Sequence, residues 1–258
     1  MLCPIKPLSA LFAAASLLLA SVAVAADLRI ETRVYAPEEE APVCRSVTLF
    51  SGAAVYDFRE DRPVVTIFRA AAAGKPERFT LLDTQRQVRT EIEVSKIDHA
   101  MVSLRKWAAQ SGDAFLRFAG DPVFTESFDE ETGELQLIGD QLSYRLVTVP
   151  MEDEMTRLAV RRFLDSFTKL QTLLETSLPP DPRLRVNEAL FVHGVMPVET
   201  KLFSGKQDKP SLRAEHLTAP LLSKRDRARI DDAIDKMASY RQVSNEEFRS
   251  AGVQTAAK

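Results

Sequence analysis

The strongest constraint on the fold is a series of short segments in which apolar and polar side chains alternate. Residues 28–34 and 88–94 both alternate apolar or β-branched residues with Arg and Glu, which is the pattern of a β-strand with one face in water. The segments between them are rich in β-branched and aromatic residues and cover residues 43–51, 53–59, 64–70 and 78–83. Short turns join these segments. Because short connections favour hairpins, this part of the chain predicts an antiparallel sheet.

Further segments carry apolar residues at every third or fourth position, which predicts amphipathic helices. The longest predicted helix spans residues 152–177 and ends at a proline-rich stretch, which the backbone of a helix does not tolerate. Two other helices are expected to begin with capping boxes, one formed by Ser95 and Asp98 and one by Ser223 and Asp226.

A shorter helix is predicted over residues 183–192, with Gly194 as its C-terminal stop. The remaining segments rich in β-branched and aromatic residues are predicted to be strands. These strands cover residues 114–119, 122–129, 134–138, 142–149, 195–203 and 211–217.

Together these patterns predict an α+β fold in which a curved antiparallel sheet, similar to a half-barrel, packs against amphipathic helices. One domain is expected, because the late strand pair and the last helix complete the N-terminal sheet. The predicted domain spans residues 27–242. Its parts are a sheet at residues 28–149, a helical segment at 151–192, a strand pair at 195–217 and a helix at 223–240. Residues 243–258 are expected to form a flexible tail.

The N-terminus has the organisation of a secretion signal, predicted to span residues 1–26. Lys6 precedes an apolar run over residues 8–20, and an Ala-Val-Ala cleavage site follows at residues 23–25. The apolar run is too short to cross a bilayer as a helix. We therefore expect an exported protein, periplasmic or secreted, with no transmembrane segment after cleavage. Cleavage leaves Cys44 as the single thiol, which we expect to be buried and inert in a strand.

The sequence carries few patterns associated with catalysis or metal binding. His99, His193 and His216 do not have the spacing of metal ligands. With 34 basic and 37 acidic residues, the chain lacks the positive charge of a nucleic-acid-binding protein. We therefore expect no catalytic residues, no metal, no cofactor and no nucleic-acid partner. The alternative is a hydrolase in which Asp57 and Asp83, both near strand ends, act as a general acid and base.

Phenylalanines are concentrated in the strand-rich part of the chain. Their first interpretation is an ordinary core between sheet and helices. The second is a curved sheet whose concave face holds an apolar ligand. For that second interpretation the candidate ligand contacts are Phe50, Phe58, Phe68, Phe79 and Phe118.

Residues 51–58, Ser-Gly-Ala-Ala-Val-Tyr-Asp-Phe, are followed by Leu81-Leu82-Asp83. With the export signal, the run of hairpins and the inserted helix, these residues resemble the hairpin region of the periplasmic lipoprotein-carrier (LolA-type) half-barrel superfamily, over residues 28–150. The resemblance implies a non-enzymatic domain that shields an acyl chain or a lipoprotein anchor, with a lipid or lipoprotein as partner. The alternative is an envelope domain that binds another protein or has a structural role, without a small-molecule ligand.

Overall fold

The computed structural model describes residues 25–72, 74–175, 178–205 and 207–253. Apart from the backbone of its last two residues, the expected signal peptide lies outside the described residues. Within the described residues, strands and helices follow one another along the chain in the order that the sequence patterns predict, with the exceptions given below. One sheet contains all the strands.

The sheet has twelve strands in the described part of the chain. They are β1 (Ala25–Tyr35), β2 (Cys44–Gly52), β3 (Ala54–Arg59), β4 (Val64–Arg69), β5 (Arg78–Asp83), β6 (Val88–Glu93), β7 (Thr125–Asp129), β8 (Glu134–Ile138), β9 (Leu142–Pro150), β10 (Val195–Ser204), β11 (Leu212–Ala219) and β12 (Arg241–Gln242). The helices are α1 (Val94–Ala109), α2 (Ala114–Gly120), α3 (Glu154–Glu175), α4 (Asp181–His193), α5 (Lys224–Ser239) and α6 (Asn245–Val253).

The spatial order of the strands is β12-β6-β5-β4-β3-β2-β1-β11-β10-β9-β8-β7. Neighbouring strands are antiparallel, except that the two-residue β12 pairs in parallel with β6. The late pair β10–β11 lies between β1 and β9 and joins the two meanders into one sheet. The sheet is curved and does not close into a barrel. The predicted α+β fold with a curved antiparallel sheet is therefore confirmed.

Alternation along each strand gives the sheet two faces with different covers. On one, here called the inner face, Leu28, Phe50 and Phe68 pack against α3. The helices α1 and α6 extend this layer over β5 and β6, and α4 covers β8 to β10. On the opposite, outer face, α5 packs on β2 to β5 through residues such as Ile230 and Ala233. Helices thus cover both faces of the sheet at β2 to β5.

Phe163 of α3 is the centre of the inner-face core. Its side chain is 1% exposed. Its ring lies edge-on to Phe50 and Phe68, with centroids 5.6 Å and 5.8 Å away, and it stacks on Phe167 at 5.1 Å. Aromatic pairs at these separations contribute beyond the area they bury. The attachment of α3 to the sheet therefore depends strongly on this one ring.

Two predicted elements, the strand at residues 114–119 and the capped helix start at Ser95, are corrected by the structure. Residues 114–119 were expected to be a strand and form α2, because Asp113 caps this helix by accepting a 2.7 Å hydrogen bond from the backbone N–H of Phe115. The expected start at Ser95 is also wrong, since α1 begins at Val94 directly after β6 and has no side-chain cap. The capping box at Ser223 and the left-handed stop at Gly194 are confirmed.

The expected flexible tail from residue 243 begins instead with ordered structure. Val243 and Phe248 are buried in the inner-face core, and α6 carries Phe248. Arg86 stacks on the ring of Phe248 at 5.2 Å and donates a 2.8 Å hydrogen bond to its carbonyl oxygen. One buried aromatic side chain and one arginine thus anchor a segment whose composition is otherwise polar. Residues 254–258 lie outside the described part of the chain.

Phe163→Ala should lower the free energy of unfolding by about 3–5 kcal/mol, because it leaves a cavity among three other rings. Leu158→Ala, at a position on the same helix that is 42% exposed, is the matched control and should change this free energy by at most about 0.5 kcal/mol. Urea unfolding followed by circular dichroism measures both. Equal losses in the two variants would show that α3 is not anchored through Phe163.

Candidate functional site

The five candidate phenylalanines do not form one surface. Phe50, Phe68 and Phe79 come together on the inner face, where they are almost fully buried beneath α3. Phe58 lies on the outer face, with the guanidinium of Arg229 4.3 Å from its ring centroid. Phe118 lies on α2 and packs against Phe124, with ring centroids 5.5 Å apart. Three of the five are thus core residues of one layer, and the other two belong to separate layers.

The carboxyl groups of Asp57 and Asp83 are not brought together as an acid–base pair. Both face inward, on β3 and β5, but β4 runs between them. Asp83 organises a turn, because it accepts hydrogen bonds from the backbone N–H groups of Gln85 and Arg86 and from the Arg86 Nε at 2.6 Å. Asp57 has a different partner, the hydroxyl of Thr48, which donates a 2.7 Å hydrogen bond.

Asp57 is the one acidic group deep in the inner-face core whose pKa departs strongly from its ordinary value. Burial raises the pKa of Asp57 from 3.8 to about 6, although the hydrogen bond from Thr48 opposes the rise. Its neighbours across the sheet, Thr48 and Thr66, are neutral. The folded protein therefore holds a proton on Asp57 at pH values where the unfolded chain has lost it.

This proton predicts a pH-dependent stability. Between pH 3.8 and about 6 the native state binds more protons than the unfolded state, so the free energy of unfolding falls as pH rises through this window. The ionised carboxylate then costs about 3 kcal/mol above pH 6. Asp57→Asn should remove this loss, so that its stability relative to wild type improves by about 3 kcal/mol between pH 4 and pH 8.

Urea unfolding at five pH values from 4 to 8 measures this difference. Thr48→Val is the second variant, because it removes the hydroxyl that donates to the ionised form of Asp57. The pKa of Asp57 should then rise further, so that the loss of stability becomes larger and extends to higher pH. Parallel pH profiles for wild type and Asp57→Asn would exclude a buried, protonated carboxyl at this position.

The inner face is covered unevenly along its length. On β1, Leu28 and Ile30 are buried, whereas Thr32 and Val34 keep partial contact with solvent. The facing residues of β10 and β11 are likewise only half-buried toward the same end of the sheet. This is the end at which α3 stops and α4 begins. We define the open end of the inner face by Thr32, Val34, Thr200, Ala214 and His216.

Polar side chains form a row across three strands of the open end. His216 Nδ1 lies 3.1 Å from the Thr32 hydroxyl, and His216 Nε2 lies 3.4 Å from the Thr200 hydroxyl. Burial, with the positive charge of Arg183 as a second cause, lowers the pKa of His216 to about 4. The imidazole is therefore neutral at neutral pH and can donate to one threonine while it accepts from the other.

Arg183 projects from the first turn of α4 beside this row. Its Nη1 donates a 2.9 Å hydrogen bond to Gln171 Oε1, which links α4 to α3. Arg183 is exposed, and desolvation by the surrounding protein lowers the pKa of its guanidinium. Among the described residues, no carboxylate lies within ion-pair distance of its guanidinium.

Tyr144 of β9 lies near Arg183 on the inner face. Tyr144 is only 7% exposed, and its hydroxyl is not buried without a hydrogen-bond partner. Burial raises the pKa of Tyr144 to about 12, and the charge of Arg183 opposes the rise. Alternation with Leu142 and Leu146 could have predicted that Tyr144 faces inward. No sequence signal places Arg183 near it, because that depends on the α3–α4 turn.

The cavities elsewhere are small. One of about 110 Å³ lies between α3, α6 and the β5–β6 edge, and its lining includes Thr90, Asn245 and Phe248. Ligand pockets usually have about 300–1,000 Å³, so this space fits a few water molecules rather than an acyl chain. Cys44 is half-buried at the start of β2, with its Sγ 3.7 Å from an Asp61 oxygen, and burial raises the pKa of its thiol.

Comparison with protein-family models gives no match, and comparison with curated proteins gives none either. Within the residues that the structure describes, no helix combines the length and apolar character needed to cross a bilayer. The same residues contain no group of three His, Cys, Asp or Glu side chains placed to hold a metal ion. Functional inference therefore depends on the geometry of the inner face.

Proposed function

We propose that this protein is an exported, non-enzymatic binding or carrier domain for an apolar ligand such as a lipid or an acyl chain. The observation that carries the proposal is the inner face of an unclosed, curved sheet that helices cover unevenly. At its open end, apolar side chains such as Val34 and Ala214 remain partly accessible beside the polar row of His216. A chain-like ligand could enter there and lie along the sheet.

The way α3 is held supports a cover that can yield to a ligand. At the open end, α3 is tied to the sheet by ion pairs of Glu175 with Arg59 at 3.3 Å and with Arg62 at 2.9 Å. These groups are partly exposed, and such pairs contribute only about 0–1 kcal/mol each. Elsewhere, the attachment of α3 combines apolar packing with ion pairs of Arg162 with Glu77 at 2.6 Å and of Lys169 with Asp98 at 2.8 Å. An acyl chain can replace the apolar part with contacts of the same kind.

The resemblance to LolA-type half-barrels is compatible with this proposal. Two features of the fold support the resemblance. One is the six-strand meander from β1 to β6, and the other is the insertion of α1 and α2 between this meander and the strands β7 to β9. On this proposal the partner is a lipid or lipoprotein, and the compartment is the periplasm or the extracellular space.

A second candidate function is an envelope domain that binds another protein or has a structural role. The observation that favours it is the complete packing of Phe50, Phe68 and Phe79 against Phe163. A core that is already full needs no ligand. The two candidates differ in whether the open end accepts an apolar chain.

The proposal is tested by the mass of the native protein and by blocking the open end. Protein expressed from the full sequence and purified without detergent should carry lipid in native mass spectrometry, or take up oleate on incubation. Ala214→Trp should weaken oleate binding by about tenfold or more, because the indole occupies the floor between β1 and β10.

Leu217→Trp is the matched control, because it lies on the outer face of the same strand and is already 49% exposed. It should bind oleate as the wild type does. A wild-type protein that neither carries lipid nor binds oleate would contradict the carrier proposal and favour the second candidate.

A further inference from the structure

We propose that the C-terminal segment is a displaceable strap, which closes the inner face at the β5–β6 edge and yields when the apolar chain of a ligand occupies the space beneath it. The strap is defined as residues 241–253 and contains β12 and α6. This inference rests on the proposed function and adds a regulatory element to it. Three features carry it: a cavity beneath the strap, the small number of contacts that hold the strap, and its polar composition.

The cavity of about 110 Å³ lies directly beneath the strap. Its apolar walls come from three parts of the molecule, namely Leu81 and Ile92 of the sheet, Leu173 and Leu174 of α3, and Phe248 of the strap. Protein interiors contain few voids larger than one water molecule, whereas this volume is several times the roughly 15 Å³ that one water needs. The strap therefore packs on the sheet less tightly than an interior helix does.

Few contacts hold the strap in place. Of its side chains between residues 241 and 250, those of Val243 and Phe248 are buried. The pairing of β12 with β6 extends over two residues. The Thr90 hydroxyl donates a 3.0 Å hydrogen bond to the carbonyl oxygen of Val243, and Arg86 donates one of 2.8 Å to that of Phe248. A segment with so little buried surface opens locally at a free energy well below that of global unfolding.

The surface beneath the strap keeps its structure when the strap leaves. The Nε of Arg86 donates a 2.6 Å hydrogen bond to Asp83, so the β5–β6 turn positions this arginine without help from Phe248. Leu81 lies in β5, which pairs with β4 and with β6 over its whole length. Departure of the strap therefore opens a preformed apolar groove between α3 and β6.

The strap has the composition of a segment that can leave the core. From Arg241 to Ser250, every residue except Val243 and Phe248 is polar or charged. Glu247 pairs with Arg241 at 3.0 Å, so this ion pair lies within the strap and moves with it. Release exposes little apolar surface of the strap itself. An apolar chain in the groove offsets the cost, because it removes the groove from water in place of the strap.

The strap and the open end lie at different places along the inner face. The open end is formed by β1, β10 and β11, and the strap lies at β6. Between them, Phe163 of α3 packs on Phe50 of β2 and on Phe68 of β4. A chain that enters at the open end and lies along the sheet beneath α3 therefore reaches the strap with its far end.

Displacement of the strap determines the sign of a mutational effect. If the ligand binds only the form in which the strap is released, its apparent dissociation constant is the intrinsic constant divided by the fraction of released molecules. A change that loosens the strap then tightens binding. A strap that merely contributes to the binding surface has the opposite effect when it is loosened.

Isothermal titration of the full chain with oleate measures this sign. Phe248→Ala should lower the apparent dissociation constant about tenfold, because it removes the largest buried side chain that holds the strap. Ile230→Ala is the matched control. Ile230 is 7% exposed, as Phe248 is, but it lies beneath α5 on the outer face, so its truncation should leave the dissociation constant unchanged.

Hydrogen–deuterium exchange of the wild-type protein is the second measurement and needs no variant to fold. Oleate should speed exchange of the amides of residues 243–250 about tenfold, because the ligand shifts the population toward the released strap. The amides of α5, on the outer face, should be unaffected and serve as the internal reference.

The outcomes separate the two proposals. Oleate binding by Phe248→Ala that is no tighter than that of the wild type would overturn the displaceable strap and leave the carrier function standing. Slower exchange of residues 243–250 in the presence of oleate would do the same. Failure of both the wild type and Phe248→Ala to bind oleate would overturn the carrier function itself, since the variant removes the obstacle.

Discussion

The packing of α3 on the inner face is the interaction on which the rest of the structure depends. An antiparallel sheet that curves without closing has an apolar inner face that must be covered. Here helices supply the cover, and the ring of Phe163 fixes the longest of them between β2 and β4. Because α4 follows α3 after a short connection, this contact also positions α4 over β8 to β10.

Alternation made the sheet predictable because a period of two has one structural meaning when turns follow closely. The wrong predictions concern segments whose structure is determined by a few specific contacts. Residues 114–119 contain two phenylalanines and too few residues to show a helical period, so the cap at Asp113 determines their structure. At the start of α1, the backbone N–H of Val94 donates a 3.0 Å hydrogen bond to the carbonyl oxygen of Glu77. Because this bond holds the residue at which the helix begins, Ser95 lies inside the helix and does not cap it. The ordered tail depends on the burial of Val243 and Phe248 and on the contacts of Arg86 with Phe248.

The candidate site was less predictable than the fold, because a surface combines residues from several strands and therefore requires their register. Phe50 pairs with Val55, whereas Phe58 pairs with Val47. These pairings place the two rings on opposite faces, although both lie in aromatic segments of similar composition. The packing of α4 on Tyr144 was missed for a related reason, because it follows from the connection between α3 and α4 and not from any local pattern.

The polar groups of the inner face also indicate whether this face has a role besides forming the core. A neutral histidine between two threonines lies at the open end, and the next row of the inner face contains the buried polar residues Thr48, Asp57 and Thr66. Replacing buried polar groups by apolar ones of similar shape is often neutral or stabilising. Stability alone therefore gives no reason for this cluster.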